Sequence, residues 1–442
     1  MLSFFNSAKE NINDDKFVTE PLSEVESSSQ LLVESGVTTV TFFSSPPFSS
    51  SGDDEFDKVA TNLRERVRNI LGANPWAAGK VIRNRNHKNL QLVYPKKISD
   101  EILDRILIIS KIAANSIHSE TPYDEMYSAI DKASAIIPSG KSCINKDILS
   151  TKITLVPHQE SASFALIMSM SHTIADGYTY YRILSMLSES ISIESTNARR
   201  KVEINPTQDA WSTDDWNFIT TNVGFIANLV WGFLFGSKAK CFAFYTDDEK
   251  ISSIKGEESQ QEIVEYVSTN DILVSNHSMI TRPRLQTIAI NFRGRVPGAE
   301  KNDGGNYEAV LFLDEKSYNS ASVVRQAVQN YERDATRTGR TADLPSTWKA
   351  WKSNPLLGQL SNWSSFFDEI QLGEEDSGWK QELHLPILNI RQIPFDCAVI
   401  FRPKANKTAI MYVCTSPQYQ SAEFWQGNSP VGELVSSAIF CG

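Results

Sequence analysis

The segment from Ser169 to Gly177 (SMSHTIADG) carries the residues best suited to chemistry. The almost wholly apolar run at 163–170 predicts a strand buried on both faces, and His172 follows its end. A side chain at the end of a rigid strand has a fixed geometry. An imidazole has an ordinary pKa of about 6.5, so His172 can take a proton from an alcohol or amine and return one later.

The same histidine also fits a purely structural role. An imidazole at the end of an apolar strand is more often a hydrogen-bonded structural residue than a base. Asp176, four residues on, either orients the imidazole or turns away and anchors the loop through an arginine. One His and one Asp supply two ligands, so no metal site is predicted. The chain has no GxSxG, which argues against a Ser-His-Asp hydrolase.

The charge and cysteine content restrict the partners and the compartment. The net charge is −10, from 43 Lys and Arg against 53 Asp and Glu, and this disfavours a nucleic-acid partner. The five cysteines are scattered and never spaced as CxxC, which indicates a reducing compartment. The N-terminal residues lack the basic and apolar regions of a signal peptide. The expected location is the cytoplasm.

The most apolar stretch of the chain is VGFIANLVWGFLFG, at 223–236. At 14 residues it is short for a transmembrane helix, and it contains Asn228. It favours a buried or interfacial helix of a globular protein over membrane association, and no transmembrane segment is predicted.

The elements that position these residues alternate between strand and helix patterns, which predicts a mixed α/β (α+β) fold. With 442 residues the chain exceeds the usual size of one hydrophobic core. We expect a flexible segment at 1–30, an N-terminal lobe at 31–205 and a C-terminal lobe at 206–442. Apolar spacing predicts strands at 37–43, 90–94, 163–170, 263–267, 285–292, 307–313, 386–390, 398–401 and 408–414, and helices at 56–71, 102–117, 178–187, 268–280 and 320–333.

His172-Thr173-Ile174-Ala175-Asp176-Gly177 resembles the HxxxDG signature of the chloramphenicol-acetyltransferase-like superfamily. That superfamily includes the BAHD acyltransferases and nonribosomal peptide condensation domains. Further segments resemble its other motifs in the right order, over about residues 70 to 365: NPWAAGK at 74–80, STNDIL at 268–273, INFRGR at 290–295, GNY at 305–307 and SNWS at 361–364.

The resemblance implies a fold and a reaction. Each lobe would be a mixed sheet with flanking helices, and His172 would lie midway along a channel between the lobes. The implied activity is transfer of an acyl group from acyl-CoA to a hydroxyl or amine of a small, hydrophobic acceptor, as in secondary metabolism. His172 would be the general base, with no covalent enzyme intermediate. Acyl-CoA would be a co-substrate, no cofactor would be bound permanently, and the protein would be a monomer.

The resemblance also implies roles for individual residues. Asp176 would be structural and paired with Arg293, with Arg295 as the second choice of partner, and Gly177 would form the turn. The SNWS segment would supply a hydrogen-bond donor to the oxyanion. The segments at 290–295 and 305–307 would supply contacts to coenzyme A. The candidates are Ser361, Trp363 and Ser364 for the oxyanion, and Arg295 and Asn306 for coenzyme A.

Two departures leave alternatives open. The DFGWG motif of plant BAHD enzymes is absent, with PFDC at 394–397 at most a remnant, so the chain is not a standard plant member. Ser171 replaces the first His of the HHxxxDG form, which argues against condensation domains. The alternatives are a free-standing condensation-type enzyme that uses a carrier-protein thioester, and a non-catalytic binding protein that retains the fold.

Overall fold

The structure, a computed structural model, describes residues 16–45, 52–110, 117–158, 163–201, 204, 213–260, 262–333, 342–367, 369–373 and 379–440. The chain forms two compact units. The first comprises Met1–Glu203, Glu300–Tyr307 and Phe366–Ile387, and the second comprises Ile204–Ala299, Glu308–Ser365 and Leu388–Gly442. Each unit contains sheet and helix, so the predicted α/β class with two sheet-containing lobes is confirmed.

The described residues form strands and helices in alternation. The strands are β1 (Phe17–Pro21), β2 (Val37–Ser44), β3 (Lys80–Ile82), β4 (Gln91–Pro95), β5 (Leu107–Ile109), β6 (Thr151–His158), β7 (Ser163–Met170), β8 (Lys240–Thr246), β9 (Leu285–Asn291), β10 (Glu308–Leu313), β11 (Leu357–Asn362), β12 (Lys380–Pro386), β13 (Cys397–Lys404), β14 (Lys407–Cys414) and β15 (Val431–Leu434). The helices are α1 (Ser29–Val33), α2 (Gly52–Ala73), α3 (Asp100–Ile106), α4 (Tyr123–Lys132), α5 (Gly140–Cys143), α6 (Gly177–Ser185), α7 (Thr213–Thr221), α8 (Val223–Phe235), α9 (Asp248–Ser259), α10 (Thr269–Thr281), α11 (Glu315–Tyr318), α12 (Ala321–Arg333), α13 (Thr347–Lys352), α14 (Ala422–Asn428) and α15 (Ser437–Phe440).

The first unit is built around a five-stranded sheet in the order β12-β2-β7-β6-β5, beside a small sheet β1-β4-β3. Strand β7 lies in the middle and pairs antiparallel with β2 and β6, with Met170 opposite both Val37 and Thr151. Every residue of β7 after the first is buried. This confirms the predicted strand with two buried faces and fixes the point from which the HxxxDG segment leaves the sheet.

The second unit contains a seven-stranded sheet in the order β10-β9-β11-β13-β14-β8-β15. Strand β11 runs parallel to β9 and β13, and the other pairs are antiparallel. Helix α10 begins with a capping box: Ser268 Oγ accepts from the Asp271 amide, and the Asp271 carboxylate accepts from the Ser268 amide. The aromatic rings of Tyr412 and Trp425 stack at 3.8 Å in the core of this unit.

Several predicted elements are wrong. The helix expected at 102–117 ends at Ile106, because Leu107–Ile109 pairs with β6 as a parallel strand. The segment at 263–267 is not a strand, and β12 ends at Pro386, where a strand was expected to begin. Of the segment expected to be flexible at 1–30, residues 1–15 lie outside the described residues, and Phe17–Pro21 forms β1.

The apolar stretch forms α8, and of the two expected forms, buried or interfacial, the helix is not the buried one. Only Gly224 and Phe225 of this helix are buried, whereas Trp231 is 56% exposed and Phe235 is 65% exposed. No single helix among the described residues is long and apolar enough to cross a membrane. Two consecutive helices, 214–221 and 223–235, are long and apolar enough only when they are taken together, and the chain bends by 50° between them.

Two imidazoles lie in the cores. His384 of β12 is fully buried, with Nδ1 2.8 Å from Thr41 Oγ1 and Nε2 3.2 Å from the Tyr181 hydroxyl. Burial lowers the pKa of His384 to about 3. In the second unit, burial lowers the pKa of His277 to about 4. Both rings are therefore neutral in the folded protein across the physiological range.

These imidazoles predict a loss of stability in acid. Below pH of about 6.5 the unfolded chain binds a proton at each histidine that the folded chain does not bind. The free energy of unfolding should therefore fall as pH drops from about 6.5 towards 4, by roughly 1.4 kcal/mol per pH unit for each ring. Urea unfolding of the parent and of His384→Asn between pH 7.5 and 4.5 measures this. The variant should show the shallower slope, and equal slopes would contradict the assignment.

Candidate active site

The backbone of the HxxxDG segment is fixed on both sides of His172. One residue after β7, the Ser171 amide donates to the Ser150 carbonyl at 2.8 Å, and the Ile174 amide donates back to the Ser171 carbonyl at 3.1 Å. Asn306 Nδ2 donates to the carbonyl oxygen of His172 at 2.7 Å. His172 therefore lies in a short turn between a central strand and α6.

The imidazole of His172 is accessible on part of its surface. Its side chain is 17% exposed, and its Nε2 lies 3.4 Å from Glu34 Oε2. The Glu34 side chain is 50% exposed, just beyond the end of α1. A carboxylate at this distance favours the imidazolium that forms when the ring takes up a proton. The ring is thus partly open to solvent and placed beside a carboxylate, an environment in which an imidazole can exchange protons with a bound molecule.

Asp176 holds the start of α6 and the segment at 303–307. Its side chain is buried, with Oδ1 accepting from the Thr179 amide at 2.8 Å as the helix N-cap. Oδ2 accepts from the Tyr307 amide at 2.9 Å. The Asp176 amide donates to the Gly305 carbonyl at 3.2 Å. The carboxylate thus holds the loop through two backbone amides, and its pairing with an arginine stays a prediction.

Replacing Asp176 with alanine should destabilise the first unit. The change removes the N-cap and leaves the buried Tyr307 amide without its acceptor, at a combined cost of about 2–4 kcal/mol in the free energy of unfolding. Asp176→Asn keeps one carbonyl oxygen and should lose about half as much. Denaturant unfolding of both variants gives the comparison. An alanine variant as stable as the parent would refute the anchoring role.

A buried ion pair lies beside this loop. Arg200 Nε donates to both carboxylate oxygens of Glu26, at 2.8 and 3.0 Å, and the two side chains are 1% and 0% exposed. Arg200 also donates to three carbonyl oxygens: Ile174 at 3.0 Å, Gly304 at 2.8 Å and Ala198 at 2.9 Å. The guanidinium thus joins the HxxxDG turn to residues far away in sequence.

Asn306 lies in the first unit, whereas both arginines of the INFRGR segment lie in the second. Asn306 belongs to the first unit, where its amide donates to Glu26 Oε1 at 3.2 Å and its side chain holds the His172 carbonyl. Arg293 and Arg295 belong to the second unit. Arg293 is buried and its Nη1 donates to Asn291 Oδ1 at 3.0 Å, whereas Arg295 is exposed. The Asp176–Arg293 pair and the coenzyme A roles stay predictions.

The oxyanion candidates lie together at the end of β11 in the second unit. Trp363 Nε1 donates to Ser361 Oγ at 3.0 Å. The amide and hydroxyl of Ser364 donate to Asn362 Oδ1 at 2.9 and 2.8 Å. These contacts order the segment. The role of Ser361, Trp363 and Ser364 at a tetrahedral oxyanion stays a prediction.

The PFDC segment at 394–397 stabilises a turn in the second unit through the side chain of Asp396. The buried Asp396 accepts through Oδ1 from the amides of Thr415 and Ser416, at 2.6 and 3.0 Å. Its Oδ2 accepts from the Ser416 hydroxyl at 2.6 Å. The carboxylate therefore fixes the turn after β14.

Sequence reasoning missed Glu26, Glu34 and Arg200. A local signal existed for Glu26: Ser23 and Glu26 form the reciprocal contacts of an S-x-x-E capping box, with the Ser23 amide 2.8 Å from Glu26 Oε2. No local pattern indicates its pairing with Arg200, 174 residues later. Glu34 likewise meets His172 only through the pairing of β2 with β7.

No protein-family profile matches the chain, and no curated protein is detectably similar to it in sequence. Solved structures are similar in fold. TRI101 of F. sporotrichioides, complexed with coenzyme A and T-2, has a TM-score of 0.60 at 15% identity, covering 94% of this chain and 100% of that one. TRI3 trichothecene 15-O-acetyltransferase of Fusarium sporotrichioides has a TM-score of 0.57 at 10% identity, covering 93% of each chain.

The first condensation domain of the CDA synthetase is also similar, with a TM-score of 0.54 at 10% identity, covering 95% of this chain and 99% of that one. At such identities the likeness concerns the fold. The chain has the two-lobed, mixed α/β fold of the chloramphenicol-acetyltransferase-like acyltransferases and condensation domains.

Proposed function

We propose that this protein is an acyltransferase that moves an acyl group from acyl-CoA to a hydroxyl or amine of a small, hydrophobic acceptor. His172 is the general base. The observation that carries the proposal is the imidazole of His172, partly exposed and held between a central strand and a capped helix. One protein with this fold was crystallised with coenzyme A, and another is named a 15-O-acetyltransferase.

The reaction uses the imidazole twice. His172 takes the proton of the acceptor O–H or N–H while the acceptor oxygen or nitrogen attacks the thioester carbonyl. The new C–O or C–N bond gives a tetrahedral oxyanion. When this collapses, the C–S bond breaks and the imidazolium returns its proton to the thiolate, releasing coenzyme A. Glu34 stabilises the imidazolium between these two proton transfers, because its carboxylate lies 3.4 Å from Nε2.

Direct attack of the acceptor on the thioester is consistent with the low reactivity of two buried cysteines. Burial raises the pKa of the Cys143 thiol to about 11 and that of Cys397 to about 12. A thiol is nucleophilic as its thiolate, so these two cysteines are inert near neutral pH. No GxSxG serine elbow occurs in the sequence. The proposal therefore includes no acyl-enzyme intermediate.

The remaining roles in the second unit are part of the same proposal. A tetrahedral oxyanion needs a hydrogen-bond donor, and Ser361, Trp363 and Ser364 are the candidates. Arg295 is proposed to contact coenzyme A, because an exposed guanidinium suits its phosphates. Asn306 is the other candidate for that contact. Arg293 is proposed to pair with Asp176. His172 is proposed to lie in a channel that is open to donor and acceptor.

A second candidate function has a specific observation behind it, since a condensation domain shares the fold over 95% of this chain. In that case the acyl group would come from a carrier-protein thioester. The two functions differ in what recognises the donor: a basic pocket for the phosphates of coenzyme A, or a docking surface for a carrier protein. Ser171, in place of a histidine before His172, favours the first.

The test is a panel of acyl-CoA donors and acceptors, with free thiol measured as it is released from the purified full chain. We expect release that depends on an acceptor, with an ester or amide as the second product. Release only from an acyl-phosphopantetheine carrier would support the second function. Release from neither donor would overturn both.

The proposed setting is the cytoplasm, with the protein acting as a monomer in secondary metabolism. The net charge of −10 and the absence of CxxC spacing support a cytoplasmic protein without a polyanionic partner. Light scattering during size-exclusion chromatography tests the oligomeric state, for which the expected mass is 49.5 kDa.

A further inference from the structure

Helices α8 and α13 present a large apolar surface to solvent in the second unit. We call the following exposed side chains the apolar face: Val223, Ile226, Val230, Trp231, Phe233, Leu234 and Phe235 of α8, with Trp348 and Trp351 of α13. Their exposed fractions run from 37% to 71%. The Trp231 and Trp351 rings meet edge to face at 5.9 Å, so the two helices form one continuous surface. Exposed apolar side chains grouped in this way on a folded protein indicate an interaction site.

The opposite side of α8 is held against the second unit. Asn228 Nδ2 donates to the carbonyl oxygens of Ala350, Trp351 and Ser353, at 3.2, 3.1 and 2.8 Å. A Cβ at Gly224 would lie 1.9 Å from the carbonyl oxygen of Thr347, so only glycine permits this approach. The orientation of α8 is therefore fixed, and its apolar side chains face outward as a result of packing.

The charged residues within the two segments that carry the apolar face have one sign. Between Asp215 and Asp247 the only charged residues are Lys238 and Lys240, and between Asp343 and Asp368 they are Lys349 and Lys352. All four lysines are exposed. Lys352 Nζ lies 4.4 Å from the centre of the Trp348 ring. In a chain with a net charge of −10, these two segments thus contain four lysines and no acidic residue between their flanking aspartates.

This combination matches the chemistry of an anionic membrane surface. Tryptophan and other aromatic side chains favour the lipid headgroup region, and lysines near them are attracted to anionic lipids. At 13 residues α8 is too short to cross a bilayer. The preceding helix α7 is anchored, because Phe218 packs on Phe225 at 5.0 Å and on Phe312 at 6.3 Å. The geometry therefore suits a helix that lies on the bilayer.

We propose that the apolar face and its four lysines dock this protein on the surface of a bilayer containing anionic phospholipid. The aromatic and aliphatic side chains enter the headgroup region while the lysine ammonium groups contact phosphate and carboxylate groups. The proposal does not depend on the proposed acyl transfer. It rests on the exposure of α8 and α13 and on the sign of the charges within these two segments.

The experiment is flotation of the purified full chain with vesicles of phosphatidylcholine, with and without 30% phosphatidylserine as a roughly physiological anionic fraction. We expect binding to the anionic vesicles, with a blue shift of tryptophan fluorescence. The triple variant W231Q/L234Q/F235Q should bind more than tenfold less, because it removes three of the most exposed apolar side chains. A circular dichroism melt checks that it folds, since these side chains are more than half exposed.

Reversing the charge of two lysines gives a second, independent test of the proposal. K349E/K352E should weaken binding to anionic vesicles by at least about twenty-five-fold, since each of the two lysines near such a surface contributes a factor of about five. The matched control is K96E/K97E, which makes the same change in net charge at two exposed lysines of the first unit and should bind as the parent does. Three results would overturn the proposal: no binding by the parent, equal binding by the triple variant, or a stable dimer that the triple variant abolishes and that does not bind vesicles.

Discussion

Replacing His172 with alanine is expected to lower kcat/KM for acyl transfer by about 10²–10⁴, the usual contribution of a positioned general base. The imidazole is the only group to which we assign proton transfer, and burial keeps the thiols of Cys143 and Cys397 protonated near neutral pH. The loss should fall mainly on kcat, because the base acts in the transition state. Thiol release with a saturating acceptor, compared between variant and parent, measures the effect.

The fold should survive this change. The side chain of His172 is partly exposed, and the backbone contacts through Ser171 and Asn306 do not involve the ring. The free energy of unfolding should therefore stay within about 1 kcal/mol of the parent value. His87→Ala, at an exposed histidine, is the matched control and should leave both rate and stability unchanged. An H172A variant that turns over at the parent rate would show that His172 is not the base.

Replacing Arg200 with methionine is expected to give a large loss of stability, about 3–5 kcal/mol. The change leaves the fully buried Glu26 carboxylate without its ion-pair partner, and an unpaired buried charge costs this much. It also leaves the carbonyl oxygens of Ile174 and Gly304 without the guanidinium donors. Denaturant unfolding measures the loss, and activity should fall with it because Ile174 belongs to the HxxxDG turn.

The neighbouring arginine provides the control. Arg199 is exposed, so Arg199→Met should change the free energy of unfolding by no more than about 0.5 kcal/mol. The double variant E26L/R200M removes both charges and should recover part of the loss, since two apolar groups in place of a buried pair are often tolerated. If R200M and R199M are equally stable, the buried pair does not hold this region together.

Elements defined by a local pattern could be predicted from the sequence. The buried strand β7 shows as an apolar run, and α10 begins at a capping box that the Ser268 and Asp271 spacing indicates. Elements defined by a distant partner could not. Leu107–Ile109 has an aliphatic pattern that suits a helix, and only pairing with β6 makes it a strand. Strand β12, at 380–386, pairs with β2 more than 300 residues earlier.

The candidate site divides in the same way. His172 and Asp176 stand in one short motif, so the sequence indicates both and the structure gives each a definite environment. Arg200 and Glu26 join three separated segments, and no spacing connects them. The return of Glu300–Tyr307 to the first unit brings Asn306 to the His172 carbonyl. That crossing depends on tertiary packing, which local patterns do not encode.

Helix α8 shows a different limit of prediction from sequence. Its apolar composition indicates a helix that avoids water, and burial in the core is the usual outcome. The sequence does not show that only the side of Gly224 and Asn228 packs inward. The exposed remainder is visible only in three dimensions, and the proposal of a membrane-docking surface depends on it.

A structure of the protein with bound coenzyme A tests the central claim most directly. We expect the thiol sulfur to lie within hydrogen-bond reach of a ring nitrogen of His172, directly or through one water molecule. We also expect the ring to face an open passage on its acceptor side. A coenzyme A whose thiol lies away from His172, or an imidazole closed off from the bound ligand, would contradict the assignment of His172 as the base.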